Sequence, residues 1–283
     1  MLRRGIFMWN KIVISDYLLP LTKFGTIGFV HSVFEHSFNL KVGEQLINVA
    51  NYNEYLSCFG LFVPIDSFAK IKPYIKQGDH IKIKSDRIVF YNLAEIKILN
   101  LSDYEVVSLK VTATQLEKES LHFLQQLLVA ANLKEKIGIE QDAKFVAIKE
   151  QLLHPETADW ASITQFLIGR GKGLTPSGDD ILVAYTFILG LSHIDYIKAL
   201  VAELIKQKGN TTDISWAYIE SCVAGYVNSL IYQFYMDLKE NKTEKFENDI
   251  QQIMKVGHTS GKDMCYGIYL GIKALLTLNF EKE

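Results

Sequence analysis

The sequence of 283 residues has little of what marks a disulfide-rich or nucleic-acid-binding protein. Its three cysteines, Cys58, Cys222 and Cys265, lie far apart and none belongs to a C-x-x-C pair. This argues against a disulfide framework or a zinc ribbon and suits a reducing compartment. The formal net charge is −2, without a block of lysine and arginine, so we expect no nucleic-acid partner.

Long apolar runs are also missing. The longest uncharged run, residues 181–194, is shorter than the ~20 residues that a membrane crossing needs. Near the amino terminus, Lys11 interrupts the apolar stretch and no small-residue cleavage site follows. We therefore predict a cytoplasmic protein without a signal peptide or a membrane partner. Hydrophobic residues make up 48% of the chain, as in an ordinary folded protein.

The pattern of apolar residues changes near residue 112. Before that point, aromatic and β-branched residues alternate with polar ones, which predicts strands. One segment predicts a hairpin that turns at Ser85 and Asp86. The predicted strands cover residues 26–40 (one strand or two), 80–91 (the hairpin) and 94–99.

After residue 112, apolar residues recur at the spacing of a helical stripe. We therefore predict an α+β fold, in which a β-rich region over residues 1–112 packs with a mainly helical region over residues 113–283. The helical region carries the glycine-rich loops. The predicted helices cover residues 115–133, 141–153, 157–168, 178–193, 195–207, 212–237, 243–256 and 261–278.

The most informative stretch is Ile-Gly-Arg-Gly-Lys-Gly-Leu-Thr-Pro-Ser-Gly-Asp-Asp, residues 168–180, directly before an apolar run. A smaller version, Gly-His-Thr-Ser-Gly-Lys-Asp at residues 257–263, also precedes an apolar run. Each places Ser-Gly-x-Asp at a predicted helix start, where backbone N–H groups lack intrahelical partners and can hold a small polar ligand. We interpret the two loops as halves of one site.

Helix capping is the alternative explanation of the two loops. In each Ser-Gly-x-Asp sequence, the serine and the aspartate have the spacing of a capping box. Capping does not account for Gly178 and Gly261, because glycine in the first turn costs up to ~1 kcal/mol relative to alanine. We interpret the missing side chains as room for a ligand to approach the backbone.

The first loop carries charges of both signs. Arg170 and Lys172 suit an anion, whereas Asp179 and Asp180 would repel one. Adjacent helical residues point roughly 100° apart, so one aspartate can cap while the other faces the ligand. Either a divalent cation such as Mg²⁺ bridges that carboxylate to a phosphate, or the ligand carries N–H donors. A small amide or carbamoyl compound with a carboxylate or phosphate satisfies both signs.

Other chemistries lack their motifs. A Walker A loop requires Ser or Thr directly after Gly-Lys, where this chain has Gly173. Neither a dinucleotide-binding fingerprint nor a Gly-x-Ser-x-Gly elbow is present. The candidate catalytic residues are Asp179, Asp180 and His258. The candidate ligand-binding residues are Arg170, Gly171, Lys172, Gly173, Thr175, Ser177, Gly178, Thr259, Ser260, Gly261 and Asp263.

These motifs resemble a known family. Residues 171–180, Thr211 and Thr212 with Ser215, and residues 257–263 are similar to the hallmarks of the domain of unknown function 2877 family. Residues 28–40 resemble the opening segment of that family. The resemblance spans roughly residues 25–278. That family includes the AllH-type subunit of the oxamate carbamoyltransferase of anaerobic allantoin and purine breakdown, which works with two other proteins. The resemblance implies the interconversion of oxalurate plus phosphate with oxamate plus carbamoyl phosphate.

Two functions of different class therefore fit the sequence. The first is an enzyme subunit that binds a small carbamoyl- or phosphate-bearing metabolite and works with other protein subunits. The second is a non-catalytic structural or regulatory subunit, whose loops only cap helices or contact a partner. A stand-alone nucleotide-dependent enzyme is a third interpretation, against which the absence of a Walker A motif counts. Residues 211–213 begin another predicted helix, for which we expect a simple cap.

Overall fold

A computed structural model describes residues 9–93, 95–192 and 194–280. The chain divides into two compact units, Met1–Lys110 and Val111–Glu283. Three predicted features reach outside the described residues: the amino-terminal stretch over residues 1–8, the start of a strand at residue 94 and the end of a helix at residue 193.

Within the described residues, the first unit is built on one nine-stranded sheet. Its elements are β1 (Ile12–Ser15), β2 (Ile27–Val33), β3 (Ser37–Val42), β4 (Gln45–Ala50), β5 (Gly60–Phe62), α1 (Ile65–Ala69), β6 (His80–Ile83), β7 (Arg87–Tyr91), β8 (Ile96–Asn100) and β9 (Tyr104–Val107). The strand order is β8-β7-β6-β2-β3-β4-β5-β1-β9. The pairs β4–β5 and β1–β9 are parallel and the other neighbours are antiparallel.

The predicted hairpin is confirmed: β6 and β7 pair antiparallel, with Ile83 opposite Ile88. Residues 26–40 form two strands, β2 and the start of β3, and the third predicted strand corresponds to β8. The sequence did not predict β1, β4, β5, β9 or α1. β1 and β5 are buried along their whole length, so neither shows the alternation that reveals a half-exposed strand.

The second unit is helical. Its helices are α2 (Lys118–Ala130), α3 (Ala143–Leu152), α4 (Trp160–Leu167), α5 (Ser177–Gly190), α6 (Ile194–Lys206), α7 (Asp213–Val223), α8 (Ser229–Lys239), α9 (Thr243–Met254) and α10 (Ser260–Phe280). A sheet in one unit and helices in the other confirm the predicted α+β class.

One helix prediction is wrong. Residues 212–237 form two helices, α7 and α8, because the chain leaves the helical conformation between them. Gly225 has φ +83°, a left-handed conformation that glycine adopts readily. Asn228 then caps α8, since its side-chain oxygen accepts the N–H groups of Leu230 and Ile231.

The core of the second unit lies around α5 and α10. α5 is buried on nearly all sides, with Ile181, Tyr185 and Ile188 each fully covered, which is the pattern of a central helix. The Tyr185 hydroxyl donates to the backbone oxygen of Leu152 at 2.7 Å, so this buried polar group is paired. Although these helices are apolar, none in the described part of the chain is long and apolar enough to cross a membrane.

Candidate functional site

The two glycine-rich loops lie together because α5 and α10 pack side by side in the same direction. Two glycines of α10 permit the close approach: a Cβ at Gly267 would collide with the backbone oxygen of Ile181, and one at Gly271 would lie 2.8 Å from Ile188. The starts of both helices are therefore adjacent. Thr175 Oγ1 lies 2.8 Å from Ser260 Oγ, a hydrogen bond that joins the two loops directly.

The glycine at the start of each helix lies against a backbone carbonyl group of another helix. A Cβ at Gly178 would collide with the backbone oxygen of Leu167 at the end of α4, and a Cβ at Gly261 would collide with that of Ile253 in α9. Both glycines are buried. Each therefore permits the start of one helix to pack on the end of the preceding helix, which is a structural reason for the missing side chains.

The backbone N–H groups at the helix starts are largely used within the protein. Gly178 donates to the oxygen of Arg170 at 2.8 Å, and Gly261 donates to that of Val256 at 2.9 Å. The next two N–H groups of each helix donate to the backbone oxygens of Pro176 or Thr259. For these six groups, the expectation of outward-pointing N–H donors does not hold. A ligand here would depend on side chains and on the remaining helix dipole.

The serine of each loop pairs with the aspartate of the other loop, and we call these two the exchanged pairs. Pro176 precedes α5 and makes no side-chain cap, and its backbone oxygen accepts the Asp180 N–H, so the capping box of the alternative explanation is absent from α5. Instead, the Ser177 hydroxyl lies beside Asp263 of α10 and lowers the pKa of that carboxyl group. The Ser260 hydroxyl of α10 acts in the same way on the pKa of Asp180 of α5. The carboxylates thus link one helix start to the other.

Asp180 and Asp263 are the chemically unusual residues of this cluster. Asp180 is 8% exposed and Asp263 is fully buried. Within the described residues, atom Oδ2 of each has no hydrogen-bond partner. Burial raises the pKa of Asp180 well above its usual range, hydrogen bonds from Ser260 and Thr175 oppose the rise, and the nearby charge of Asp263 adds to it.

Burial also raises the pKa of Asp263, against hydrogen bonds from the Gly138 N–H, Ser177 and Thr259. A carboxyl group with a raised pKa is protonated at higher pH than usual. In that form it can donate to a carbonyl oxygen, and when ionised it accepts from an amide N–H. The unpartnered oxygens of Asp180 and Asp263 therefore suit a small neutral group that has both donors and acceptors.

Asp179 has a different role from Asp180. It accepts from the Gly169 N–H at 2.7 Å, from Ser215 Oγ at 2.6 Å and from the hydroxyl of Thr211. These bonds fasten the glycine loop to the start of α7. Thr212 caps α7 by accepting the Ser215 N–H at 3.0 Å, as the sequence predicted. Burial raises the pKa of Asp179, and its three hydrogen bonds oppose that rise.

The predicted cations lie on the outside of the cluster. Arg170 is half-buried, with its guanidinium carbon 3.8 Å above the ring centre of Phe166 and its Nε donating to the Phe166 backbone oxygen at 3.0 Å. Its positive charge therefore interacts with the Phe166 ring and with the carboxyl-terminal end of α4. Lys172 is exposed between Gly171 and Gly173.

The second loop places its histidine at the surface. His258 is exposed, and its backbone oxygen accepts from the Lys262 ammonium group. The neighbouring Thr259 is half-buried, and its backbone oxygen accepts from the Asp263 N–H at 2.9 Å. Among residues 9–93, 95–192 and 194–280, no group of three or more His, Cys, Asp or Glu side chains is placed to hold a metal ion.

Sequence reasoning missed Gly138. Its N–H donates to Asp263 Oδ1 at 2.8 Å, and a Cβ there would collide with Ser177 Oγ and lie 3.0 Å from Thr259 Oγ1. Gly138 thus lies beside Ser177 and Asp263, although it is far from both residues in the sequence. The only available signal was a glycine between two isoleucines, Ile137 and Ile139, outside any predicted strand or helix.

Comparison with known families covers both units. A family model described as oxamate carbamoyltransferase subunit AllH matches residues 167–272. This range runs from the end of α4 into α10 and includes both glycine-rich loops. A second model, the AllH family N-terminal domain, matches residues 10–103, which carry the sheet except for β9. The search of solved structures gave no match.

Proposed function

We propose that this chain, which belongs to the AllH family of oxamate carbamoyltransferase subunits, binds a small carbamoyl- or phosphate-bearing metabolite where α5 and α10 begin. The family assignment supports a subunit of a carbamoyltransferase. The observation that carries the ligand site is the pair of buried carboxyl groups, Asp180 and Asp263, each with one unpartnered oxygen. A buried polar atom without a partner costs free energy, so a ligand that pairs it gains affinity.

A carbamoyl group matches these oxygens. Its NH₂ donates two hydrogen bonds, which the Oδ2 atoms of Asp180 and Asp263 can accept, and its carbonyl oxygen can accept from a protonated carboxyl group. A bare anion does not match, because ionised carboxylates repel it. The carbamoyl end therefore faces the carboxyl pair. The carboxylate or phosphate end faces the exposed loop that carries Lys172.

The exposed glycine segment gives the ligand a way in. Gly171 and Gly173 have φ +121° and +95°, and a Cβ at Gly173 would meet nothing within 4 Å. Because the Oδ2 atoms are buried, the ligand reaches them only when a covering segment moves. We assign that movement to residues 171–174, which are all exposed. Thr175, Ser177, Thr259 and Ser260 then orient the carboxyl groups.

The other candidate residues take supporting roles in this proposal. Asp179 holds the loop to α7, and Arg170 holds it to α4. His258, exposed on the second loop, contacts the outer end of the ligand and is our candidate proton donor. A Mg²⁺ ion that bridges a carboxylate and a phosphate is the alternative means of holding that end.

We also propose a metabolic pathway and a cellular compartment for the reaction. The family name supports a role in allantoin and therefore purine breakdown, in which other subunits supply the remaining parts of the active site. The three cysteines are thiols, which suits the cytoplasm.

One set of observations favours the second candidate, a structural or regulatory subunit. The glycines, the first-turn N–H groups and the exchanged serines all have partners inside the protein. These contacts stabilise the junction of α5 and α10 without any ligand.

Calorimetry on the purified chain distinguishes the two candidates. We would titrate oxamate, freshly dissolved carbamoyl phosphate and inorganic phosphate separately. Saturable binding of either carbamoyl-pathway compound, tighter than that of phosphate, supports the ligand site. If no compound binds the isolated chain, and binding appears only when the partner subunits are added, the structural or regulatory role is favoured.

A further inference from the structure

One end of the sheet presents an apolar outer face over β2, β6, β7 and β8. Residues directly opposite in antiparallel strands lie on the same face. The strand registers therefore align two rows across the four strands. The first row is Ile27, Lys82, Val89 and Ile98, and the second row is Phe29, His80, Tyr91 and Ile96. We call these eight residues the β2–β8 face.

Five of the six apolar or aromatic side chains of this face are exposed, whereas Val89, at 7% exposed, is buried. Ile27 is 70%, Ile96 59% and Ile98 45% exposed, and Phe29 and Tyr91 are also exposed. The residues between them along the strands, such as Ile81 and Phe90, are buried. The sheet thus has apolar residues on both faces at this end, whereas the face of an antiparallel sheet that contacts water is commonly polar. The exposed apolar residues lie on both sides of the exposed His80 and Lys82 of β6, and a cluster of this kind marks an interaction surface.

The charge of the face indicates what kind of partner it fits. Of its eight described residues, the titratable members are His80, Lys82 and Tyr91, and none is a carboxylate. A second copy of the same face would present the same Lys82 and His80 and no carboxylate to pair with them, so it is not complementary in charge. A different chain with apolar and acidic residues is complementary.

The face continues to an open edge of the sheet. β8 ends the strand order, and within the described residues it pairs with β7 alone. The backbone groups on its outer edge can pair with a strand of another chain. A partner seated on the β2–β8 face can therefore add backbone hydrogen bonds along residues 96–100.

We propose that the β2–β8 face binds another protein subunit of the carbamoyltransferase, through a partner surface of apolar and acidic residues. This proposal rests on the subunit role in the proposed function and is independent of the ligand site. The face lies in the unit matched by the family's N-terminal domain, whereas both glycine-rich loops lie in the unit matched by the AllH model.

The test uses the full chain purified together with the other subunits of its carbamoyltransferase. The test variant is Ile98→Glu, and the matched control is Val106→Glu, which changes a residue of similar exposure (48%) in β9 at the opposite end of the same sheet. We expect Ile98→Glu to weaken assembly at least tenfold and Val106→Glu to leave it within twofold. Lys82→Glu should also weaken assembly, because it places a carboxylate opposite the acidic partner.

Three results would overturn the proposal. The first is that Ile98→Glu assembles with the other subunits as the wild type does. The second is that Val106→Glu weakens assembly as much as Ile98→Glu. The third is that the chain alone forms a dimer and that Ile98→Glu dissociates it. Circular dichroism checks that each variant is folded. Calorimetry with oxamate and carbamoyl phosphate on the isolated Ile98→Glu variant tests the ligand site separately from assembly. If the wild type binds neither compound, the proposed ligand site is contradicted, but the assembly experiment still tests the β2–β8 face.

Discussion

The Ser177 hydroxyl at the start of α5 lies beside Asp263 in the first turn of α10 and lowers the pKa of its carboxyl group. The reverse pair joins Ser260 of α10 to Asp180 of α5. Two short sequences that look like local helix caps thus form one long-range connection. Because the pairs cross between helices, the carboxyl groups are held at the junction, where one oxygen of each lacks a partner among the described residues.

A double-mutant cycle tests the exchanged pairs. We expect Ser177→Ala and Asp263→Asn to show a coupling free energy of about 1 kcal/mol in chemical denaturation, because each change removes the same interaction between a hydroxyl and a carboxyl group. The combination of Ser177→Ala with Asp180→Asn, the pair that a capping box would join, is the control. Its coupling should be markedly smaller, and the opposite order would show that each helix is capped locally.

The glycines at the two helix starts should not tolerate alanine. Gly178→Ala and Gly261→Ala each place a methyl group against a backbone carbonyl, so we expect each to lower the free energy of unfolding by about 1–3 kcal/mol or more. Gly190→Ala is the control, because a Cβ there meets Ile197 at an ordinary 3.7 Å. It should be neutral or slightly stabilising. Denaturation midpoints near the wild-type value for both Gly178→Ala and Gly261→Ala would contradict the packing role.

The sequence predicted the association of the two loops but not its cause. Ser-Gly-x-Asp recurs before two apolar runs, and this was enough to interpret residues 168–180 and 257–263 as neighbours. The reason for Gly178 and Gly261 lies in the carbonyl groups of other helices, α4 and α9. No pattern within either loop reveals those groups, because they depend on how the chain turns back on itself.

Long-range partners account for the other differences. Gly138 donates to a carboxylate in α10, more than a hundred residues away along the chain. Arg170 looked available to an anion, yet its guanidinium stacks on Phe166 one turn earlier. By contrast, Thr212 caps its own helix, and a local sequence signal predicted it correctly. The break at Gly225 had a local signal too, a glycine followed by Asn228 and Ser229, but the apolar run around it concealed the boundary.

The pH dependence of stability should reveal a buried carboxyl group away from the site. Burial, with the nearby charge of Asp237, raises the pKa of Asp249 from 3.8 to about 7. In the unfolded chain Asp249 ionises near pH 4, while in the folded chain it stays protonated until about pH 7. Its contribution to stability therefore falls as the pH rises through this window.

Asp249→Asn removes that contribution. Its free energy of unfolding relative to the wild type should rise between pH 4.5 and pH 7.5 by on the order of 3 kcal/mol, since the pKa is raised from 3.8 to about 7 and one pKa unit corresponds to about 1.4 kcal/mol. The other buried carboxyl groups are common to both proteins and cancel in the difference. A difference that is constant over this range would contradict the raised pKa.

Lys172 should affect ligand binding and leave stability unchanged. Its side chain is exposed at the tip of the glycine loop, so Lys172→Ala should change the free energy of unfolding by less than about 0.5 kcal/mol. Its charge contributes to holding the anionic end, and we expect carbamoyl phosphate to bind about threefold to tenfold more weakly. Lys198→Ala, which changes an exposed lysine of α6, is the control. Equal affinities in calorimetry would remove Lys172 from the site.

The most direct measurement is calorimetric titration of oxamate and carbamoyl phosphate into the wild type, Asp180→Asn and Asp249→Asn. Both variants replace a buried carboxyl group that has one unpartnered oxygen, but Asp249 lies in α9 outside the junction. We predict that Asp180→Asn stays folded and loses detectable binding, while Asp249→Asn binds as the wild type does. Wild-type affinity in Asp180→Asn would contradict the assignment of the carboxyl pair as the ligand site.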